Sequence, residues 1–355
     1  MQSKTLLIYC SFIVALLFLG CQNDQTNTHA SSATAPETNK AITLYTSRYY
    51  ILDKELFDKF EKLYKVKVNV VLDNADNLLA RLKKEATNPQ ADLVLTSNLQ
   101  DIYAIKDANL LTTFSDPLID DNTHSRNQDK QGMWVGLSKW AMGVGGAHKR
   151  VPYDAFSTYA DLTNKKFKQK IVVSSSQNKS NQFMIATMLI TEGEAATRNW
   201  IKGIMANLAQ PPLPTDVEAV KAVGSGYADL SIINTSALIQ FQHSGVPEDF
   251  KVGSNVGIKY PVNSKNGTYY NLTPIGIVKG TKHYQDALNL ILFLIAKEQQ
   301  PTFCQSLHEY PVNVFAEIDD FIIGIGGFNE ETIDFNKVIK SIPQAISIMN
   351  EYNWK

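Results

Sequence analysis

The chain has 355 residues, 44% of them hydrophobic, enough for one large two-lobed unit or two domains. Its 34 basic and 35 acidic residues leave a formal net charge of −1 with no basic stripe, which argues against nucleic acid as a partner. Of three cysteines, Cys10 and Cys21 lie at the N-terminus, so Cys304 stands alone and neither a disulfide framework nor a cysteine zinc site can form.

In chain order, Lys4 precedes an apolar run from Leu6 to Leu19. About fourteen residues are short for a membrane span and suit a signal peptide. Leu17-Phe18-Leu19-Gly20-Cys21 resembles the bacterial lipobox, with Phe18 where leucine is usual. That likeness implies a lipoprotein signal over residues 1–20 and acylation of Cys21, whose two or three chains would hold the protein on a membrane; a plain secretory signal and an uncleaved anchor are the alternatives. Residues 21–40, rich in Gln, Asn, Thr, Ser and Ala, read as a lipidated flexible tether. The folded part is expected from Ala41.

Leu44-Tyr45-Thr46-Ser47 reads as a first strand running into a loop with Tyr49 and Tyr50. Leu56, Phe57, Phe60, Leu63 and Tyr64 then recur at helical spacing. Val66–Val71 predicts a strand, Asn77–Ala86 a helix, Ala91–Thr96 a buried strand and Ile102–Ala108 a short helix. The rhythm returns with a strand at Lys170–Ser174, helices at Asn181–Thr191 and Glu194–Asn207 broken at Gly193, a helix at Val217–Ser225 and a strand at Ala228–Ile233. A late strand at Leu272–Val278 precedes one long core helix over Tyr284–Phe303. This alternation predicts an α/β fold with largely parallel sheets covered on both faces. Ligands gather at the carboxyl ends of strands in such sheets. Tyr49 and Tyr50 sit at such an end, where paired phenols can hold a hard metal ion or simply wall a cleft.

Gly324-Ile325-Gly326-Gly327 lacks the spacing of a dinucleotide fingerprint and reads as a surface loop. No nucleophile elbow, phosphate loop or zinc-protease motif occurs. Ser174-Ser175-Ser176 reads as a hydrogen-bonding loop after a strand. His29, His124, His148, His243, His283 and His308 have no partner at helical spacing and read as surface histidines. Cys304, between Phe303 and Leu307, reads as a buried inert thiol. No constellation of nucleophile, base and orienting group is visible, so an enzyme is not expected.

From Thr43 onward the chain resembles the ferric-iron substrate-binding proteins of bacterial ABC importers, in the type II periplasmic binding protein superfamily. Leu44-Tyr45-Thr46-Ser47-Arg48-Tyr49-Tyr50 is similar to that family's Y-S-S-R-H-Y. Asn88–Thr96, Gly132–Ser138, Ser157–Leu162, Asn207–Pro212, Glu309–Asn313 and Tyr352–Lys355 carry further motifs in the same order. The resemblance implies a two-lobed α/β fold, each lobe a mostly parallel sheet flanked by helices, with a cleft between. Lobe 1 is expected over 41–139 and 270–310, and lobe 2 over 140–269 and 311–355 with C-terminal helices. It implies a monomeric, lipid-anchored solute-binding protein in the cell envelope, on the periplasmic side or the outer face of a single membrane. Such a protein delivers ligand to an ABC permease, with Fe(III) as cargo and no catalytic cofactor.

Ferric iron is a hard cation that favours anionic oxygen, and the family gathers tyrosine phenolates from both lobes. Here Tyr50 matches the first-loop tyrosine, and Tyr49 stands in place of histidine. A further ligand tyrosine would fall at about Gly146, and the second-lobe pair at Ser236 and Ala237. The arginine that can hold a companion anion would fall near Ser174. The expected metal ligands are therefore Tyr50 and Tyr49 alone, with Tyr269 and Tyr270 as candidates to lend oxygens near the hinge. The alternative is a wider cleft for an organic or chelated ligand, lined by Tyr49, Tyr50, Ser174, Ser175, Ser176, Asn234, Thr235 and Ser236, in an importer component or a sensory lipoprotein.

Overall fold

The structure is a computed structural model that describes residues 40–242 and 244–355. The expected signal segment, Cys21, the expected tether through residue 39 and His243 lie outside the described residues. The first part of the chain forms β1 (Lys40–Thr46), α1 (Ile51–Tyr64), β2 (Val66–Leu72), α2 (Ala75–Lys84) and β3 (Leu93–Leu95). It continues through α3 (Leu99–Asp107), β4 (Leu111–Thr112), α4 (Pro117–Asn122) and β5 (Val135–Ala147). Then come β6 (Ile171–Val173), α5 (Lys179–Thr191), α6 (Glu194–Asn207), α7 (Asp216–Gly224), β7 (Leu230–Asn234), α8 (Thr235–Gln242), α9 (Pro247–Ser254) and β8 (Val256–Lys259). The chain returns through β9 (Tyr270–Val278), α10 (Tyr284–Ile295), α11 (Gln300–Gln305) and β10 (Tyr310–Pro311), and closes with α12 (Asp320–Ile325) and α13 (Phe335–Glu351).

The strands follow the order β2-β1-β3-β9-β5-β7-β6, with β4 on β9 and both β8 and β10 on β5. Strand β5 serves two sheets. Residues Val135–Ala141 pair with β9, while Met142–Ala147 pair with β7 and β8. The fold is thus α/β with two sheet halves, as the sequence predicts. The parallel character is confined to the flanks: β1 pairs parallel with β2 and β3, and β6 with β7. The pairs β3·β9, β9·β5 and β5·β7 are antiparallel, so the halves are less parallel than expected. Strand β9, which re-enters the first sheet from the second, runs against both β3 and β5, and β5 in turn runs against β7.

One apolar core fills the space between the first sheet and α1 and α10, with Ile42, Leu44, Phe60, Leu290 and Phe303 all fully buried. On α1 the burial stops at Phe60, and Leu63 is 66% exposed despite its helical spacing. The expected single helix over Tyr284–Phe303 is two helices. Ala296 takes an extended backbone (ψ 140°), and Pro301 opens α11. A proline ring inside a continuous helix would strike the carbonyl four residues back, here that of Lys297. His308 also departs from expectation: it is buried, with Nδ1 3.0 Å from the Asp319 carboxylate and its ring against Phe321. Cys304 is buried, and burial pushes its thiol well above the ordinary range. The Gly324–Gly327 run ends α12, with Gly326 in the left-handed region at φ 88°.

Candidate ligand-binding cleft

Strands β1 and β3 run parallel and end side by side, where the Ser47 amide donates to the Leu95 carbonyl at 3.2 Å. The loops that follow carry Tyr49 and Tyr50 from one strand and Ser97 and Asn98 from the other. Between them Arg48 turns inward and is buried. Its guanidinium pairs with Asp53 at 3.1 Å and Glu309 at 3.5 Å, and lies 4.2 Å from the Phe303 ring centroid. The same group sits 5.4 Å from the Tyr50 ring centroid. Asp53 also accepts the Tyr50 amide at 2.9 Å, which fixes the entry to α1. Tyr49 stacks nearly parallel on Phe57 at 6.2 Å. Tyr50 remains 36% exposed. Burial raises its phenol above the ordinary 10.0, while the Arg48 cation pulls the other way. The Glu309 and Asp53 carboxylates add to the rise, so the phenol keeps its proton until a hard metal displaces it.

The facing wall comes from the carboxyl ends of β6 and β7 and the starts of α5, α7 and α8. Its centre is the buried carboxylate of Asp216. The Ser174 hydroxyl donates to Oδ1 at 2.5 Å, the Asn178 amide to Oδ1 at 3.1 Å, and the Asn234 backbone N–H to Oδ2 at 3.0 Å. Asn181 donates to both the carbonyl and the hydroxyl of Ser174 at 2.8 Å. Ser174 is therefore fully buried and its polar groups are satisfied from within. Ser176 is buried too, its hydroxyl donating to Asn350 at 3.0 Å. Asn234 caps its own turn, accepting the Ser236 amide at 3.0 Å, and is the more open of the group. Ser175, Thr235 and Ser236 are nearly buried.

Two bridges join the walls. Gln100 of α3 donates to the Lys179 carbonyl at 2.7 Å, and the Lys179 ammonium lies 2.7 Å from Asp101 and 3.8 Å from Asp76. Near the hinge, the Tyr310 hydroxyl donates to that of Tyr260 at 2.9 Å. Since Glu309 pairs with Arg48, this run of contacts links the floor under Tyr50 to the residue that follows β8. Burial pushes the Tyr260 phenol up to about 12.

Tyr49 and Tyr50 follow the end of β1, and Asn234, Thr235 and Ser236 join the end of β7 to the start of α8, whereas Ser174 turns inward to Asp216 behind that second wall. Tyr269 and Tyr270 reach neither wall. Both are 1% exposed; Tyr269 packs on Tyr159 at 4.5 Å, and the Tyr270 hydroxyl donates to the Glu331 carbonyl at 3.3 Å. Burial raises both phenols far above the ordinary 10.0, so neither is placed to lend a phenolate. Gly146 also lies elsewhere. It is four residues beyond Met142 on β5, about 13 Å along the strand, and pairs with Leu230 and Gly257. Sequence reasoning missed Asp216, Lys179 and Tyr260, whose roles depend on neighbours distant in the chain. Tyr310 was visible within the Glu309–Asn313 motif, but without its bond to Tyr260.

Asp216 supports a first expected result. Three donors converge on two oxygens, so the Asp216→Asn amide would turn a donor toward a donor. The change is expected to cost about 1–3 kcal/mol at pH 7. Burial is the largest influence on Asp216 and raises it above 3.8. A folded state that keeps its proton to higher pH than the unfolded chain loses stability as pH rises through the raised value. The amide does not titrate. The stability gap between wild type and variant should therefore be largest near about pH 4 and shrink toward neutrality. Urea midpoints across that range test this, and a gap that grows with pH would contradict it.

The two sheet halves share β5, with the ends of β1 and β3 in one half and those of β6 and β7 in the other. Residues 55–320 match the model of the bacterial extracellular solute-binding protein family. The chain belongs to that family. It is 31% identical over 326 residues to iron uptake protein A1 of Synechocystis sp., covering 92% of this chain and 91% of that one. The structure of a Trichodesmium protein (IdiA, FutA) in complex with iron and citrate ligands superposes with a TM-score of 0.85. It is 31% identical, covering 89% of this chain and all of that one. The ferric binding protein of Campylobacter jejuni superposes with a TM-score of 0.80 at 26% identity, over 88% of this chain and 100% of that one. No helix among the described residues is long and apolar enough to cross a membrane.

Proposed function

We propose that the protein captures ferric iron as a small carboxylate chelate and delivers it to an ABC permease from a lipid anchor at Cys21. The observation that carries the reading is Tyr50, half-exposed at the cleft with the Arg48 cation beneath its ring. Tyr50 and Tyr49 supply the protein's phenolate oxygens. The second wall offers amide and hydroxyl groups at Asn234, Thr235 and Ser236, with serine and alanine at 236 and 237, so a chelator completes the shell. The Trichodesmium relative, with its iron and citrate ligands, supports this division of labour. Lobe 1 comprises 41–139 and 270–310, and lobe 2 comprises 140–269 and 311–355, a division supported by the exchange of β5 between sheets at Ala141 and Met142. The protein acts as a monomer at the periplasmic side of the envelope, or on the outer face of a single membrane. It binds and releases its cargo without turnover.

The test is a titration of the full-length protein in detergent with ferric citrate, read by visible absorption. A tyrosinate–iron charge-transfer band, orange to red, is expected, together with a raised melting temperature. Binding at a hundredfold excess over Kd adds about 2.7 kcal/mol. Tyr50→Phe should abolish the band and Tyr49→Phe should weaken it. Neither band nor thermal shift in the wild type would sink the iron reading, and a band that survives Tyr50→Phe would remove Tyr50 as the anchor.

A further inference from the structure

Gly146, His148 and the Gly324–Gly326 run meet at a place the cleft does not use. They border a cavity of about 440 Å³ beside strand β8, and none of Tyr49, Tyr50, Ser174 or Asn234 lines it. Its volume falls in the range of small-molecule sites, about 300–1,000 Å³. The cavity owes its shape to a pair of glycines. Gly146 of β5 stands directly opposite Gly257 of β8, and opposed residues share one face of the sheet. A Cβ at Gly257 would come within 2.4 Å of the His148 ring, so glycine there lets the imidazole lie on the strand. A Cβ at Gly146 would meet nothing nearer than Leu230 at 3.5 Å and Val151 at 3.9 Å. The neighbouring place on the sheet is therefore bare backbone, walled by Val151 and Phe156 and bordered on its far side by Ile323 and Ile325.

The charge is one-sided. Lys259 lies two residues past Gly257, on the same face. Its ammonium donates to the Tyr153 carbonyl at 2.7 Å and lies 4.4 Å and 5.3 Å from the Tyr153 and Phe156 ring centroids. An ammonium carries three donors, and that carbonyl takes one. No aspartate or glutamate lines the cavity. A flat bare floor, aromatic and aliphatic walls and one cationic donor together select a flat apolar body with an anionic end.

We propose that this cavity is a second binding site, separate from the cleft, for a small aromatic carboxylate. The ring lies on the Gly146 backbone against Phe156, and the carboxylate meets the Lys259 ammonium. The site is independent of the cargo in the cleft.

The experiment is a titration of the full-length protein with 2-naphthoate, followed by the fluorescence of the probe, beside its uncharged isostere 2-naphthylmethanol. Saturable one-to-one binding of naphthoate is expected with Kd below about 1 mM. Lys259→Met keeps the stem and removes the charge, and should weaken binding about tenfold. Gly146→Val places a strand-favouring side chain where a Cβ has room, so the fold should hold while the floor is filled and binding is lost. Tyr50→Phe should leave naphthoate binding unchanged. Absence of saturable binding, equal affinity for the isostere, indifference to both Lys259→Met and Gly146→Val, or loss of binding in Tyr50→Phe would each overturn the proposal. The last outcome would put the probe in the cleft.

Discussion

Replacing Arg48 by methionine is expected to cost about 3–5 kcal/mol of stability at neutral pH, because it strands two buried carboxylates. Asp53 and Glu309 both face the guanidinium, and all three side chains are nearly inaccessible. Glu309 also accepts from the hydroxyls of Ser138 and Thr273, so hydrogen bonds survive the substitution while the countercharge does not. Burial already raises Asp53 above 3.8, and Arg48 is the strongest influence opposing that rise. Without the cation the carboxyl climbs further and is neutral over a wider range. A raised folded-state value favours the fold at low pH and loses that contribution as pH rises, so the deficit of Arg48→Met should shrink on acidification. Chemical denaturation at about pH 5 and pH 8 separates charge from packing. An equal deficit at both would assign the loss to the missing contacts with Phe303 and Tyr50. Arg48→Lys should fall between, keeping charge but not the planar fork. Because Arg48 also lies under Tyr50, the methionine variant should weaken any phenolate–metal band as well.

Trp354→Ala should be nearly as damaging, at about 3–5 kcal/mol. Trp354 is fully buried and stacks on Trp200 at 6.1 Å. Its indole N–H donates to the Ser174 carbonyl at 2.7 Å, and its own carbonyl accepts the Ser176 amide at 3.1 Å. The closing residues therefore clasp the serine loop that holds up the second wall. Beyond the stability loss, measured by the thermal midpoint, freeing that loop should accelerate amide exchange at Ser176. If exchange there stayed as in the wild type while stability fell, the clasp would be packing alone.

Local chemistry made some elements legible. Helix α6 runs over Glu194–Asn207 as its spacing predicts, because Gly193, at φ 85°, marks its start. The first β-α-β-α-β run is found within a few residues of its predicted bounds, where strands alternate or carry β-branched runs. Long-range packing hid others. Strand β5 is buried on both faces along nearly all of its thirteen residues, so it has no alternation to reveal its length. Gly143 and Gly145 break its pattern, since a Cβ at either would come within 2.8 Å of Ile258 or the Ser231 hydroxyl. Helix α13 is expected only as one of the C-terminal helices that the resemblance implies, since Pro343 within it argues against a helix from spacing alone. Tyr49 and Tyr50 follow the end of β1, as their strand-end position in the sequence predicts. The inward commitment of Ser174 could not be foreseen, because Asp216 lies 42 residues further along the chain.

Strand β9 occupies the middle of the first sheet, between β3 and β5. Its position sets spatial order against the order of synthesis. The three strands β2, β1 and β3 are all present once residue 95 has been made, yet β3 acquires its second neighbour only when residues 270–278 arrive. Until then Leu93, Val94 and Leu95, which end with at most 1% exposure, present an apolar edge with unpaired amides and carbonyls. The strands of the second sheet have no such wait, since the end of β5 and then β6, β7 and β8 follow one another within it. A chain emerging N-terminus first therefore carries its stickiest edge longest in the part made earliest. Any fragment that stops short of residue 270 keeps that edge permanently open.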